Sequence, residues 1–169
     1  YKNSINFDLK RYLKGTMGKT IHIGNVHRWS DYIQLFRNVR HETAIGESSN
    51  SYLFCPCASG NIADRVPTAK ILVILRNPVE RAWSHYLMNR RLGYTLSTEF
   101  IKEFQYDSNR TPSGWGITHN YRSLGMYSCQ LARYFDTFPA NQIKVVLFDD
   151  YRRSPKDTLN DIFTFLSVS

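Results

Sequence analysis

The chain has 169 residues, of which 42% are hydrophobic and 21% charged, the composition of an ordinary globular domain with one substantial core. Its 22 Lys and Arg exceed its 14 Asp and Glu and give a formal net charge of +8. This surplus favours anionic partners such as a nucleotide, a nucleic acid, an acidic glycan or a membrane surface. The longest purely apolar run, residues 71–75, is too short to cross a bilayer. We therefore expect a single domain over residues 1–169.

The three cysteines do not form a recognisable framework. Cys55-Pro56-Cys57 lacks the C-x-x-C spacing of a zinc or redox motif, and no second pair follows it. An odd number of cysteines also argues against a disulfide-stapled secreted module. Cys55, Cys57 and Cys129 are expected to be buried free thiols.

The first seventy residues carry few periodic patterns. Gly15, Gly18 and Gly24 mark loops in a polar segment. Helical apolar spacing begins near residue 29, with Ser30 or Asp31 as the candidate cap. A short strand is predicted over residues 43–46 and a short helix over residues 60–65.

The clearest predicted element is the apolar strand over residues 70–75. An unbroken run of Ile, Leu and Val has no polar face and is typical of a parallel strand covered on both sides. Asn77 and Pro78 follow as a cap residue and a first helical residue, so a helix is predicted over residues 78–91.

The second half of the chain continues the alternation of helices and strands. Helices are predicted over residues 97–105, 125–138 and 155–166, a long loop over 109–120 and a second buried strand over 143–148. Loops of this length often contact substrate. The alternation predicts an α/β domain with a mainly parallel sheet flanked by helices.

The junction after the first strand is the candidate site. Arg76 follows the strand at its carboxyl end, where open α/β sheets place ligands. The helix that follows is expected to begin with unpaired backbone N–H groups and the positive end of its dipole, which favour an anion. A guanidinium matches phosphate geometry, and Ser84 adds a hydroxyl donor if its helix face turns to the same place. The alternative is that Arg76 pairs with a neighbouring carboxylate and Ser84 is an ordinary helix residue. Arg81 is expected to be solvated or paired with a Glu.

The segment from Ile71 to Tyr86, which contains Leu-Arg-Asn-Pro-Val-Glu-Arg-Ala-Trp-Ser-His-Tyr, resembles the 3′-phosphate-binding strand and helix of the sulfotransferase family. The segment from Gly46 to Leu53 resembles the one that carries the catalytic carboxylate in bacterial and heparan-sulfate-type carbohydrate sulfotransferases. Residues 124–166 resemble the later helix–strand–helix unit of the family.

The resemblance implies a P-loop-NTPase-like sulfotransferase fold and a set of roles. Arg76 and Ser84 would bind the 3′-phosphate of 3′-phosphoadenosine 5′-phosphosulfate, and Glu47 would be the catalytic base. The sulfonate group would pass to a hydroxyl of an acceptor, with a carbohydrate favoured, and adenosine 3′,5′-bisphosphate would be released. No metal is implied. His119 is a weaker candidate for acceptor contact, and Arg122 and Tyr127 are candidates for lining the cleft.

The family's Lys-x-Gly-Thr-Thr/Ser phosphosulfate loop and the strand before it have no counterpart in the chain. Residues 14–20 contain Lys, Gly and Thr, but they are one residue short of that spacing and follow no buried strand, so they are interpreted as a surface loop. The fold is therefore expected to be incomplete and truncated at both ends. By itself the chain is expected to be inactive and to bind adenosine 3′,5′-bisphosphate weakly.

Two other function classes stay open at this point. A P-loop kinase-like enzyme would need a Walker loop and a magnesium-binding Asp, and the pair Asp149-Asp150 after a strand is expected to be structural. A non-catalytic anion- or RNA-binding module would use the basic surface, but the aromatic residues fall at helix-core spacing, so no nucleic-acid partner is expected. The few cysteines favour the cytoplasm, with the Golgi lumen as the alternative. The sequence does not indicate an oligomeric state.

Overall fold

The computed structural model describes residues 8–17, 26, 28–107 and 119–168. The chain divides into two compact units, Tyr1–Gly46 and Glu47–Ser169. The single domain over residues 1–169 stays a prediction.

In the first unit, the helix α1 spans Leu9–Lys14 and the helix α2 spans Trp29–Gln34. The Asp8 side chain caps α1 by accepting a hydrogen bond from the Arg11 backbone N–H at 3.0 Å. The Arg37 guanidinium, just beyond α2, donates to the backbone carbonyls of Leu13 and Gly15. These bonds hold the end of α1 to the end of α2.

The first unit differs from the sequence predictions in several places. The sequence did not indicate α1, and residues 43–46 form no strand. α2 begins after Arg28 with no side-chain cap, so the predicted cap at Ser30 or Asp31 is wrong. Of residues 14–20, the described ones are the exposed end of α1 and a turn, while Gly18 to Thr20 lie outside the described residues, as does Gly24.

In the described residues of the second unit, the strands β1 (Ile71–Leu75) and β2 (Ile143–Leu147) run parallel and pair from Ile71↔Ile143 to Leu75↔Leu147. Helices precede, separate and follow the strands: α3 (Ala58–Arg65), α4 (Pro78–Arg91), α5 (Phe100–Tyr106), α6 (Tyr127–Thr137), α7 (Phe148–Arg153) and α8 (Pro155–Leu166). The predicted α/β class with a parallel sheet is confirmed.

Local chemistry explains the ends of α4 and α8. The Asn77 side chain accepts hydrogen bonds from the Val79 and Glu80 backbone N–H groups at 3.0 and 3.3 Å, and α4 begins with the predicted proline. At the other end of the chain, Lys70 Nζ donates to the Phe165 carbonyl at 2.6 Å. A cation at the carboxyl end of a helix is favourable, so Lys70 ties the end of α8 to the start of β1.

Among the described residues of this unit, buried side chains form two clusters. One lies between α4 and α5 and contains Ala82, Tyr86 and Tyr121, with Phe100 and Phe104 packed against it. The other joins α6 to the sheet and is built on Tyr134, Phe138 and Ile143, with partly buried residues around it. The first cluster packs α4 against α5, and the second packs α6 against the sheet.

Several boundaries in this unit also differ from prediction. α3 begins two residues earlier than expected and α5 three residues later, while α4 and α8 have the predicted bounds. Phe148 begins α7, which the sequence did not indicate, and Asp149 and Asp150 occupy the first turn, where a carboxylate is favourable. The prediction that the strands are covered on both sides is wrong at Ile74 and Leu147, which are more than half exposed.

The three cysteines are free, as predicted, but they are not buried. Cys57 and Cys129 are exposed and Cys55 is partly exposed. Most of the predicted loop over residues 109–120 lies outside the described residues. Among the described helices, none combines the length and the apolar character needed to cross a bilayer.

Candidate functional site

Arg76 occupies the carboxyl end of the sheet, directly between β1 and α4. Its Nε donates to Glu80 Oε2 at 3.1 Å, and its Nη2 lies 3.1 Å from the same oxygen. The guanidinium also lies over the ring of Phe148, 5.7 Å from the ring centroid. The Arg76 side chain is 38% exposed. One edge of the guanidinium is thus held by Glu80, while the side chain stays accessible to solvent.

The amino end of α4 offers fewer free donors than the sequence suggested. Pro78 has no N–H, and the N–H groups of Val79 and Glu80 are taken by the Asn77 side chain. The Arg81 N–H donates to the Asn77 carbonyl at 2.9 Å. The expectation of unpaired backbone donors at this helix end is therefore wrong, and an anion here would depend on side chains.

Ser84 lies on α4, one turn after Glu80, and it is exposed. Residues four apart on a helix share a face, with their Cβ atoms about 5–6 Å apart. Because Arg76 contacts Glu80, the two predicted phosphate ligands lie on the same side of α4, with Glu80 between them. The pairing of Arg76 with a neighbouring carboxylate is thus observed, while the binding of a phosphate by Arg76 and Ser84 stays a prediction.

Arg81 has a different environment from the one predicted. Its Nη2 donates to the Tyr121 backbone carbonyl, and its Nε is buried with no hydrogen-bond partner among the described residues. Burial lowers the pKa of Arg81, while interactions with Tyr127 and Asp107 oppose that effect. The expectation of a solvated or Glu-paired charge is wrong. No sequence signal identifies Arg81, because its partners come from residues 107–127.

Asp107 organises the backbone that faces Arg81. Its carboxylate is buried and accepts hydrogen bonds from the Arg122 and Ser123 backbone N–H groups, the latter at 2.7 Å. The turn over residues 123–125 is thereby fixed beside the start of α4. Arg122, a candidate for the cleft, has an exposed side chain and contributes its backbone to this turn.

Tyr127, the other cleft candidate, is the first residue of α6. Its side chain is partly buried, close enough to Arg81 and Arg76 for their charges to act on the phenol. Burial raises the pKa of Tyr127, and the two arginines oppose the rise. The phenol is therefore neutral at ordinary pH.

Glu47 begins the second unit in an irregular segment, and its side chain is exposed. α6 anchors the residues that follow it. Arg133 Nη2 donates to the carbonyls of Leu53 and Phe54 at 2.9 and 3.2 Å, and the Tyr134 hydroxyl donates to the Tyr52 carbonyl at 2.9 Å. The second half of α6 thus holds the residues that follow Glu47.

His119 is held within the protein. Its Nε2 lies 3.0 Å from the Tyr94 carbonyl, and its ring packs edge-on against Tyr121, with centroids 6.4 Å apart. These contacts give His119 a packing role beside the first core cluster.

Residues 25–169 match the model of the sulfotransferase family. The match covers most of the chain, so the chain belongs to this family. A crystal structure of a sulfotransferase from Alicyclobacillus acidocaldarius superposes with a TM-score of 0.80 and 37% sequence identity, covering 85% of this chain and 58% of that chain. The expected sulfotransferase fold, an α/β fold of the P-loop-like kind, is confirmed.

The chain is also similar to part of several bifunctional heparan sulfate N-deacetylase/N-sulfotransferases. Bifunctional heparan sulfate N-deacetylase/N-sulfotransferase 1 of Caenorhabditis briggsae is 26% identical over 168 residues, which are 96% of this chain and 18% of that protein. The human enzyme of the same name, number 2, is 27% identical over 151 residues, which are 86% of this chain and 17% of that protein. The chain therefore spans less than a fifth of the length of these relatives.

Proposed function

We propose that this chain is the part of a sulfotransferase that binds the 3′-phosphate of 3′-phosphoadenosine 5′-phosphosulfate, and that the sulfonate group is transferred to a carbohydrate. One observation carries the proposal. Arg76, at the carboxyl end of β1, and Ser84, on α4, lie on either side of Glu80 at the edge where parallel sheets place their ligands. The family generally uses this donor and releases adenosine 3′,5′-bisphosphate.

The chemistry of the two side chains fits a phosphate. Glu80 holds the Nε and Nη2 groups of Arg76, which orients the guanidinium while leaving the side chain partly exposed. A planar guanidinium donates to two oxygens of one phosphate, and the Ser84 hydroxyl adds a neutral donor. Since two N–H groups at the start of α4 are capped by Asn77, these side chains supply the main contacts.

Glu47 is the proposed base. Its carboxylate takes the proton from the acceptor as the acceptor atom forms a bond to sulfur. The bond between sulfur and the phosphate oxygen of the donor breaks, and adenosine 3′,5′-bisphosphate leaves with the electron pair. The anchoring of residues 52–54 by Arg133 and Tyr134 supports this role, because a base must be held in place to act.

A hydroxyl is the acceptor group that the sequence favours. The names of the curated relatives point to a second candidate, the amino group of an N-deacetylated heparan-type glycan. An assay with both a hydroxyl-bearing and an N-deacetylated glycan separates them. Family membership favours sulfonate transfer over the kinase-like and RNA-binding alternatives. The cytoplasm, with the Golgi lumen as the alternative, stays a prediction.

The test of the 3′-phosphate site compares two nucleotides that differ only in that group. The chain is titrated with adenosine 3′,5′-bisphosphate and with adenosine 5′-monophosphate, by NMR if the dissociation constants are millimolar. We expect a preference for the bisphosphate that Arg76→Gln lowers by roughly 10- to 100-fold and Ser84→Ala by about 3- to 10-fold. Neither substitution should change binding of the monophosphate.

The control is Arg91→Gln, because Arg91 is an exposed arginine in the last turn of the same helix. It should leave the preference intact. Equal binding of the two nucleotides by the unsubstituted chain would refute the proposed site, as would a preference that survives Arg76→Gln.

A further inference from the structure

Cys55 and Cys57 hold two thiols against each other just before α3. Their Sγ atoms lie 3.3 Å apart, which is close enough for an S–H···S hydrogen bond. Cys57 is exposed and Cys55 is partly exposed, so a solute can reach the pair from solvent. Both thiols are free. The pair therefore combines proximity with access.

A β-turn over residues 55–58 brings the thiols together. The Ala58 backbone N–H donates to the Cys55 carbonyl at 3.2 Å and closes the turn. Pro56 occupies the second position, where proline is favoured in a type I turn. Cys57 follows with φ −95° and ψ −4°, close to the values of about −90° and 0° that the third position of such a turn adopts. The local sequence thus fixes the geometry of the pair.

The spacing of the two residues suits a disulfide. Residues two apart in sequence are separated by at most about 7 Å between their Cα atoms, and a turn shortens that separation. Disulfides form where the Cα atoms are about 4.4–6.8 Å apart, and their S–S bond is about 2.0 Å long. From 3.3 Å, the two Sγ atoms need to approach by roughly 1.3 Å. So small an approach requires rotation of the side chains and no opening of the turn.

Neighbouring contacts hold the backbone on both sides of the pair. Before it, Arg133 Nη2 donates to the Phe54 carbonyl at 3.2 Å. After it, the Asn61 N–H donates to the Cys57 carbonyl at 3.0 Å in the first turn of α3. A backbone that is already ordered lowers the entropic cost of bringing two groups together. The fold therefore favours closure of a ring between the two sulfur atoms.

We propose that Cys55 and Cys57 are a modification site, a dithiol that a small-molecule disulfide oxidises to an intrachain disulfide. The exposed Cys57, as its thiolate, attacks one sulfur of the oxidant, whose S–S bond breaks and releases a first thiolate. The Cys55 thiolate then attacks the Cys57 sulfur of this mixed disulfide, forms the Cys55–Cys57 bond and releases a second thiolate. The protein loses two electrons and two protons, and the oxidant becomes two thiols. The site is independent of the proposed phosphate site.

The experiment equilibrates the protein expressed from its whole coding sequence with mixtures of reduced and oxidised glutathione. Free thiols are then alkylated, and peptide mass spectrometry follows residues 55–57. Loss of two hydrogens marks the intrachain bond, whereas added glutathione marks a mixed disulfide. At the midpoint, the squared concentration of reduced glutathione divided by that of the oxidised form gives the effective concentration of one thiol at the other.

We expect Cys55 and Cys57 to oxidise together, with an effective concentration of about 1 mM or more, as for two groups joined by a short linker. Pro56→Ala frees the backbone at the second position of the turn, so it should lower this effective concentration by about 2- to 5-fold.

Three variants serve as controls. Cys55→Ser and Cys57→Ser each leave one thiol of the pair, which should take up glutathione and form no intrachain bond. Cys129→Ser removes a different exposed thiol and should leave the closure of the pair unchanged. Arg76→Gln, which tests the phosphate site, should also leave it unchanged, so the two proposals fail separately.

Two results would overturn the proposal. One is the appearance of separate glutathione adducts on Cys55 and Cys57 of the unsubstituted protein with no intrachain bond. The other is oxidation of Cys57 only to disulfides between two protein molecules, which would show that the thiols are accessible but do not react with each other.

Discussion

Gly125 lies directly against Pro78, the first residue of α4. A Cβ built on Gly125 would stand 3.1 Å from the Pro78 Cβ and 3.9 Å from its Cα. The proline ring is rigid and begins a helix, so it has little freedom to move away. The close approach of the 123–125 turn to α4 therefore requires glycine, which has no side chain, at residue 125.

Replacing this glycine tests the packing of the turn. Gly125→Ala should lower the free energy of unfolding by about 1 kcal/mol, since the added methyl group would lie closer to the Pro78 Cβ than an ordinary van der Waals contact. The control is Gly60→Ala in α3, where a Cβ would meet nothing within 4 Å, and there alanine should raise stability by about 0.5 kcal/mol. Urea denaturation measures both, and a Gly125→Ala variant as stable as the parent would contradict the packing argument.

The sequence predicts elements well where the cause of the structure is local. α4 has its predicted bounds because a cap residue and a proline precede it and a purely apolar strand ends just before. α8 likewise begins at Pro155. By contrast, α1 and α7 were missed, and α2 was predicted with the wrong cap. All three are six residues long, and so short a segment carries little helical period.

The candidate site was also predictable only where its cause is local. The sequence identifies Arg76 and Ser84 as candidate ligands because they follow the strand within one continuous strand–helix pattern. The environment of Arg81 was not predictable, because it is created by residues 26 to 46 positions further along the chain. The exposed thiols were also mispredicted, since burial of a cysteine depends on packing that a three-residue motif does not reveal.

The Tyr134 hydroxyl should make a contribution to stability that depends on pH. It donates to the Tyr52 carbonyl, and burial raises the pKa of Tyr134 above its ordinary value. A raised folded-state pKa means that the stabilisation is fully present below the unfolded pKa of about 10 and is lost as the pH rises through the folded value. Tyr134→Phe should cost about 1 kcal/mol at pH 7, and the gap to the parent should narrow above about pH 10.

Urea denaturation at neutral and alkaline pH measures this gap. Tyr106→Phe is the control at neutral pH, because the Tyr106 ring is exposed, and it should change stability by less than about 0.5 kcal/mol. A gap between Tyr134→Phe and the parent that widens with pH would refute the assignment.

The Cys55 and Cys57 sulfur atoms lie 3.3 Å apart. A hydrogen bond with Cys55, followed by the charge of its thiolate, raises the pKa of Cys57. Cys55→Ala should therefore lower the pKa of Cys57 and speed its alkylation by iodoacetamide at pH 8.5 by about three-fold, because the thiolate is the reactive form. Peptide mass spectrometry reads out each cysteine separately. Cys129→Ala, at a different exposed thiol, should leave the Cys57 rate unchanged, and a slower Cys57 in the Cys55→Ala variant would show that the interaction has the opposite sign.

Glu47 gives the sharpest test of the chemistry, because its proposed role separates transfer from binding. In the protein expressed from its whole coding sequence, Glu47→Gln should lower the rate of sulfonate transfer by roughly 100- to 10,000-fold, the usual contribution of a general base. Binding of adenosine 3′,5′-bisphosphate should be unchanged, since the proposed phosphate contacts come from Arg76 and Ser84.

The matched control is Glu42→Gln, because the Glu42 carboxylate is exposed and accepts hydrogen bonds from the N–H groups of Arg40 and His41. Retention of more than a tenth of the activity in Glu47→Gln would remove it as the base, whereas loss of both activity and nucleotide binding would mean that the carboxylate supports the fold of the site instead.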